Sequence, residues 1–329
     1  MTAPSIRSTH TGHTVATTAT SSNITSSSMI QQRRTDPLVF GGSDALWDTI
    51  SKGQGGDATV EKIISNFLRR GGSPNTAKQS PTSSTYPAVK YGYGMIHALI
   101  VTKAPISLEL LLQQGANPDV VSLGQSEEDK VSPCYLAASV GWLTGLQKLI
   151  AFGGDLISAR GAGSLKKTAL HVAAEHGHAA VTEYIINMTQ GVLNLETDSL
   201  GATVLHYACV SGHTDLVSFI INVCEVPLDR ADCKGDWPIH YAARHGRFEV
   251  VILLVEKYRC DINAYTPTST GTPYDIAKSC GHKRLVEYIK SNGGVTAKKM
   301  EKRREEEMSQ KIPAHLQSAL AKNGLMSSF

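Results

Sequence analysis

The sequence has few aromatic residues, no paired cysteines and no long apolar run, and each shortage removes a class of protein. Aromatics make up 6% of the 329 residues against 41% hydrophobic residues in all, so aliphatic side chains must supply most of any core. The longest apolar stretches, such as Val250 to Val255, fall far short of the ~20 residues that span a bilayer. The N-terminus also lacks a cationic stretch followed by an apolar one, so no secretory leader is expected. Six cysteines at 134, 209, 224, 233, 260 and 280 form neither a C-x-x-C pair nor a dense cluster, which argues for reduced thiols rather than a disulfide framework or a zinc knuckle. The net charge of +3 arises in residues 1–35, which hold Arg7, Arg33 and Arg34 and no acid; from Asp36 onward 29 basic residues face 29 acidic ones. A balanced chain has no broad positive field for nucleic-acid phosphates or anionic lipid. A cytoplasmic or nuclear protein that binds neither nucleic acid nor membrane is expected, and the sequons at Asn23 and Asn187 then stay unglycosylated.

What is present begins with a leader. Residues 1–35 contain 16 Ser or Thr and almost no large apolar side chains, too little to offset the entropy of ordering a backbone, so this tail is expected to be disordered. Beyond it the chain repeats. Thr168 to Ile185 reads TALHVAAEHGHAAVTEYI, Thr203 to Ile220 TVLHYACVSGHTDLVSFI, Trp237 to Leu254 WPIHYAARHGRFEVVILL, and Thr272 to Ile289 TPYDIAKSCGHKRLVEYI. Their glycines at 177, 212, 246 and 281 lie 35, 34 and 35 residues apart, a period that dictates a stacked architecture.

Within each unit the pattern is helical. Val181, Tyr184 and Ile185 fall at i, i+3 and i+4, and Leu216, Phe219, Ile220 and Val250, Leu253, Leu254 repeat the spacing, so one face of a second helix is buried. A first helix carries small residues, Ala173-Ala174, Ala208-Cys209 and Ala242-Ala243, that allow close approach of neighbours, and the glycine closes it in a left-handed conformation. Each helix pair is too thin to stand alone and must be held by the next.

These segments resemble the ankyrin repeat, whose T-P-L-H-x-A-A-x-x-G-H-x-x-x-V-x-x-L-L pattern they match end to end. Ser132 to Ile150 and Gly94 to Asn117 match it less closely, and Ala45 to Asn75 only in its second half. The resemblance implies an all-α solenoid of about seven units over residues 36–294, strongest over 163–294, with β-like turns between units and an inserted loop near 76–90. Residues 295–329 read as a charged helix and tail, with Lys302–Glu306 and Arg303–Glu307 pairs and a second short helix over His315 to Ala321; Lys298–Arg304 is a candidate nuclear import signal.

Chemistry is sparse by comparison. His171, His206 and His240 occupy the T-x-L-H position, where the resemblance implies that imidazole bridges backbone groups, and His178, His213 and His282 follow the closing glycine. Histidines spread once per unit do not converge as metal ligation requires, so neither metal nor cofactor is expected. Gly161 to Thr168 has Leu165 where a phosphate-binding loop needs glycine before lysine. Cys209 and Cys280 read as packing residues. With the ordered chain consumed by repeats, a non-enzymatic module is expected, a metal-dependent enzyme being a remote alternative.

The resemblance places binding on the concave face made by inner helices and turn tips. Mapped residue by residue, the tips carry Lys167, Leu200, Lys234 and Asp236, and the inner-helix ends Glu175, His176, Val210, Ser211, Arg244, His245 and Ser279. Trp237 stands where the pattern has Thr, as packing or as an anchor, and Tyr274-Asp275 replaces Leu-His in the last unit. The expected function is that of a monomeric adaptor or regulatory scaffold for a protein partner, with an assembly chaperone or inhibitor of an enzyme complex as the alternative.

Overall fold

A computed structural model describes residues 29–311 apart from 54, 86, 162 and 268, with side chains through residue 307. Residues 1–28 of the expected tail and the helix expected over 315–321 lie outside the described residues.

Among the described residues the chain forms seven helix pairs. They are α1 (Asp44–Lys52) with α2 (Asp57–Arg69), α3 (Met95–Val101) with α4 (Pro105–Gln113), α5 (Pro133–Ser139) with α6 (Leu143–Ala151), and α7 (Ala169–Glu175) with α8 (Ala179–Met188). There follow α9 (Val204–Ser211) with α10 (Thr214–Cys224), α11 (Pro238–Arg244) with α12 (Phe248–Ile252, continued by a π turn over Leu253–Lys257), and α13 (Pro273–Ser279) with α14 (Lys283–Ser291). A final helix, α15 (Ala297–Lys311), leaves the last pair. None of these helices is long and apolar enough to cross a membrane.

The first helices of successive pairs pack side by side in the order α1, α3, α5, α7, α9, α11, α13. The second helices form the outer row, with α2 on α4, α4 on α6, α6 on α8, and α10 on α12. Contacts therefore run between neighbouring pairs, as a solenoid requires. The inner row can be so close because the small residues face it: Ala137, Ala138, Ala173, Ala174, Ala208, Cys209, Ala242 and Ala243 are all fully buried. The outer row contributes Leu111, Leu146, Ile185, Ile220 and Leu254, and the result is one continuous apolar core.

A histidine at the third position of the first helix, His97, His171, His206 or His240, sets the local geometry of four repeats. In α7 the Thr168 hydroxyl accepts from His171 N at 3.2 Å while the Thr168 amide donates to His171 Nδ1 at 3.2 Å, a reciprocal cap at the helix start. Thr203 and Trp237 make the same amide bond, to His206 Nδ1 at 3.0 Å and His240 Nδ1 at 2.8 Å. The far ring nitrogen then donates into the next unit: His97 Nε2 to Val131 O at 2.9 Å, His206 Nε2 to Asp236 O at 3.2 Å, and His240 Nε2 to Ala264 O at 2.9 Å. One neutral imidazole thus caps its own helix and holds the following turn. Burial makes charging these rings costly, and it lowers His97, His171 and His206 to about 4.

The closing glycines meet two demands at once. Gly246 has φ +64, and a Cβ there would lie 2.6 Å from His282 Nδ1, because that ring reaches back over the glycine to bond Arg244 O at 3.0 Å. A side chain at this position would be strained by conformation and by the neighbouring unit together.

The N-terminal pairs depart from the pattern. Two strands of two residues each, β1 (Val39–Phe40) and β2 (Thr76–Ala77), pair in parallel beside α1. In the stretch read as an insertion, Lys78 is buried and its ammonium donates to Pro81 O at 2.7 Å, while most of residues 79–88 are exposed. Asp57, at the start of α2, accepts from Ile106 N at 2.5 Å and Ser107 N at 3.0 Å and so caps α4 from the preceding pair. Residues 29–33, at the end of the segment read as a tail, make a helical turn. The turn is tied to the repeats by Asn75 Nδ2 donating to Arg33 O at 2.7 Å and by the Arg34 guanidinium 5.6 Å from the Phe152 ring centre.

Candidate functional site

The turns between units are built around aspartates. In the turn before α9, the Asp198 carboxylate accepts from Leu200 N and Ala202 N, both at 2.8 Å, and from the Tyr207 hydroxyl at 2.6 Å. Asp232 does the same before α11, accepting from Lys234 N at 2.8 Å, Asp236 N at 2.9 Å and the Tyr241 hydroxyl at 2.8 Å. A buried carboxylate that collects three donors fixes the backbone of its turn. Burial first, and the partnering carboxylate second, keep both tyrosines protonated far above the ordinary phenol range.

Each turn is then bonded to the one before it. Ser199 N donates to Leu165 O at 2.8 Å, Cys233 N to Leu200 O at 2.7 Å, and the Thr266 hydroxyl to Gly235 O at 3.0 Å. The tips form a row in which backbone positions are set from unit to unit. Lys166, Ser199, Cys233 and Lys234 are exposed on that row, and Leu200 is half-buried.

The residues read from the sequence fall into three groups. Lys234, His176, His245 and Ser279 are exposed, and Leu200, Val210 and Ser211 are partly so. Lys167 and Glu175 are brought together in an ion pair of 2.6 Å, with the Lys167 ammonium 4.4 Å from the Tyr207 ring centre. Asp236 is a correction. Its side chain has no exposed surface and is enclosed by Arg244 Nη2 at 2.5 Å and the Thr270 hydroxyl at 3.3 Å, so it braces two turns and offers nothing to a partner. Arg244 is half-buried by the same pairing. Trp237 packs against the core, with its indole nitrogen buried and unpaired.

Cys280 is a second correction. It aligns with His176, Ser211 and His245, not with the small-residue position of Ala174, Cys209 and Ala243, and it is exposed. Lys278 holds the small-residue position in that unit and is also exposed, because the inner row ends there. Cys209, in contrast, is fully buried, and desolvation raises its thiol far above the ordinary value.

Sequence reasoning missed the electrostatic bracing of the tips, because Asp198, Asp232 and Asp236 share one residue type and differ only in what surrounds them. The spacing held a signal: Asp198 and Asp232 each precede a tyrosine by nine residues, and both pairs are hydrogen-bonded. A cleft of about 200 Å³ lies beside the row, lined by Glu128, Tyr135, Ser164 and Lys166 among others. Among the described residues no three His, Cys, Asp or Glu side chains converge as metal ligands.

A family model described as ankyrin repeats in three copies matches residues 189–266 and 212–301, and one described as ankyrin repeat matches residues 166–197. No curated protein matches the chain. Paired helices, capping histidines, left-handed glycines and mutually bonded turns occur in the same span as these matches, and the chain carries ankyrin repeats over residues 166–301.

Proposed function

We propose that this chain is a non-catalytic adaptor or regulatory scaffold whose protein partner lies along the concave face of the repeat stack. Ankyrin repeats are protein–protein interaction modules, and the proposal adds the face and the role. One observation carries it: the tips are held in place by buried aspartates and by bonds to the preceding tip before any partner arrives. A row ordered in advance loses little conformational freedom on binding, so more of its contact energy appears as affinity. The exposed groups are mixed, with Lys166 and Lys234 as cations, Ser199 as a polar contact and Leu200 as an apolar one, which suits a protein surface. On this reading residues 36–294 act as one repeat domain, and residues 295–329 are an appendage to it.

The test is capture from native extract with the full chain, comparing the wild type with a variant carrying Lys166→Ala, Leu200→Ala and Lys234→Ala. Loss of a stoichiometric partner with an unchanged thermal melt is expected. Equal capture by both proteins would reject the tip row.

A further inference from the structure

The tips lie at the amino ends of the inner helices. At their carboxyl ends a different edge collects imidazole and cationic side chains. His176, ending α7, donates from Nδ1 to Val172 O at 2.9 Å, and its ring stacks on His178 at 5.9 Å with planes 10° apart. His178 reaches Ser139 O of the preceding unit at 3.1 Å. In the next units His213 lies over Gly177, and Arg247 lies over Gly212 and donates to Val210 O at 2.7 Å. His282 closes the line over Gly246, bonded to Arg244 O. Every one of these cross-unit contacts links one helix end to the next, so the side chains form a continuous strip.

Its cations outnumber its carboxylates, which are Glu175 together with Asp215 and Glu249, exposed two residues after His213 and Arg247, Glu249 lying 4.0 Å from Arg284. The groups that act on His178 are His176, Lys103 at the end of α3, and His213. Those acting on His245 are Arg247, Arg244, His282 and one carboxylate, Glu175, which Lys167 already holds at 2.6 Å. Each bonded ring donates one N–H to a carbonyl and keeps its second nitrogen free to take a proton. Desolvation first, then neighbouring cations, hold His178 and His245 below the ordinary imidazole range. An anionic occupant would reverse that balance, since it adds opposite charge beside the rings.

We propose that this strip docks an acidic segment of a partner protein and holds it more tightly as pH falls and the imidazoles take up protons. The proposal rests on the protein-binding reading above and assigns a second edge, with its own partner chemistry.

The probe is a fluorescently labelled peptide of ten aspartates, titrated with the full chain and read by anisotropy at about pH 7.8 and about pH 6, two values on either side of the ordinary imidazole value at which aspartate stays ionised. The variant carries His176→Gln, His213→Gln and His245→Gln, three rings that hold no carbonyl of another unit, and circular dichroism at both pH values confirms that it is folded. The wild type should bind about fivefold more tightly at the lower pH, and the variant should change by less than about twofold. No binding at either pH, or an equal pH response in the variant, overturns the strip. The tip variant with Leu200→Ala and Lys234→Ala separates the two readings. It should hold the peptide as the wild type does; loss of the peptide there would move the acidic site to the tips and overturn the strip, while leaving the protein-binding reading in place.

Discussion

The carboxylate of Asp275 accepts the backbone N–H of Ala297 at 2.7 Å, and with it the start of α15. In the two units before it this position is His206 or His240, each of which accepts from its own helix start and donates to a carbonyl of the next turn. Here the next element presents an amide, and a single carboxylate oxygen, Asp275 Oδ2, accepts it together with Thr272 N at 3.4 Å and the Thr272 hydroxyl at 3.1 Å. A neutral imidazole has only one acceptor nitrogen and cannot replace it.

Asp275→His should therefore release α15. Amide exchange over residues 297–300 should accelerate, while the repeat stack loses only about 1 kcal/mol, the size of a helix-start carboxylate contribution. Unchanged exchange would show that α15 is held by other contacts, such as Tyr265 donating to Glu301 at 2.5 Å.

His206 holds two backbone groups that no water can reach. His206→Ala should destabilise the protein by roughly 2–4 kcal/mol in urea unfolding, since Thr203 N and Asp236 O lose their partner together and a cavity opens. A loss below about 1 kcal/mol would mean that the ring fills space and little more.

Stability should fall with acid in a defined window. The unfolded value of histidine is near 6.5, and His97, His171 and His206 are lowered to about 4 in the fold. A depressed folded value means that the unfolded chain binds more protons, so the contribution is complete above about pH 6.5 and drains as pH drops toward about 4. Near pH 5 each ring should cost about 1–2 kcal/mol. Melting temperature measured from about pH 7.5 to about pH 5 should decline, and a flat profile would contradict neutral buried rings.

Gly246 and Gly281 separate conformation from stacking. Both have positive φ, but a Cβ at Gly246 meets the His282 ring whereas at Gly281 nothing lies within 4 Å. Gly281→Ala should cost about 1–2 kcal/mol from left-handed strain alone, and Gly246→Ala should cost more by about 1 kcal/mol, the value of the displaced His282 bond. In a His282→Ala background that excess should vanish.

Much of the architecture was readable because it is periodic. A glycine every 34 or 35 residues, a T-x-L-H helix start and an i, i+3, i+4 apolar face each reflect one backbone constraint repeated. The N-terminal pairs were read less well, since α4 is capped from the preceding pair by Asp57, nearly fifty residues earlier in the chain, which leaves no local motif. At the candidate site the sequence located the turns but not their interior. Asp236 and Lys234 stand two residues apart in one turn, yet Arg244 and Thr270 enclose the first while the second faces water. The fold decides that, through Arg244 at the far end of α11 and Thr270 of the next unit, 34 residues later along the chain.

The stepwise bonding of turn to turn also has a mechanical meaning. Pulled from its two ends, a stack whose packing runs between neighbours yields at the weakest junction while the others keep their shape. Each released unit of 34 or 35 residues would pay out about 120 Å of slack, so the chain would lengthen in discrete steps and absorb tension as a spring does.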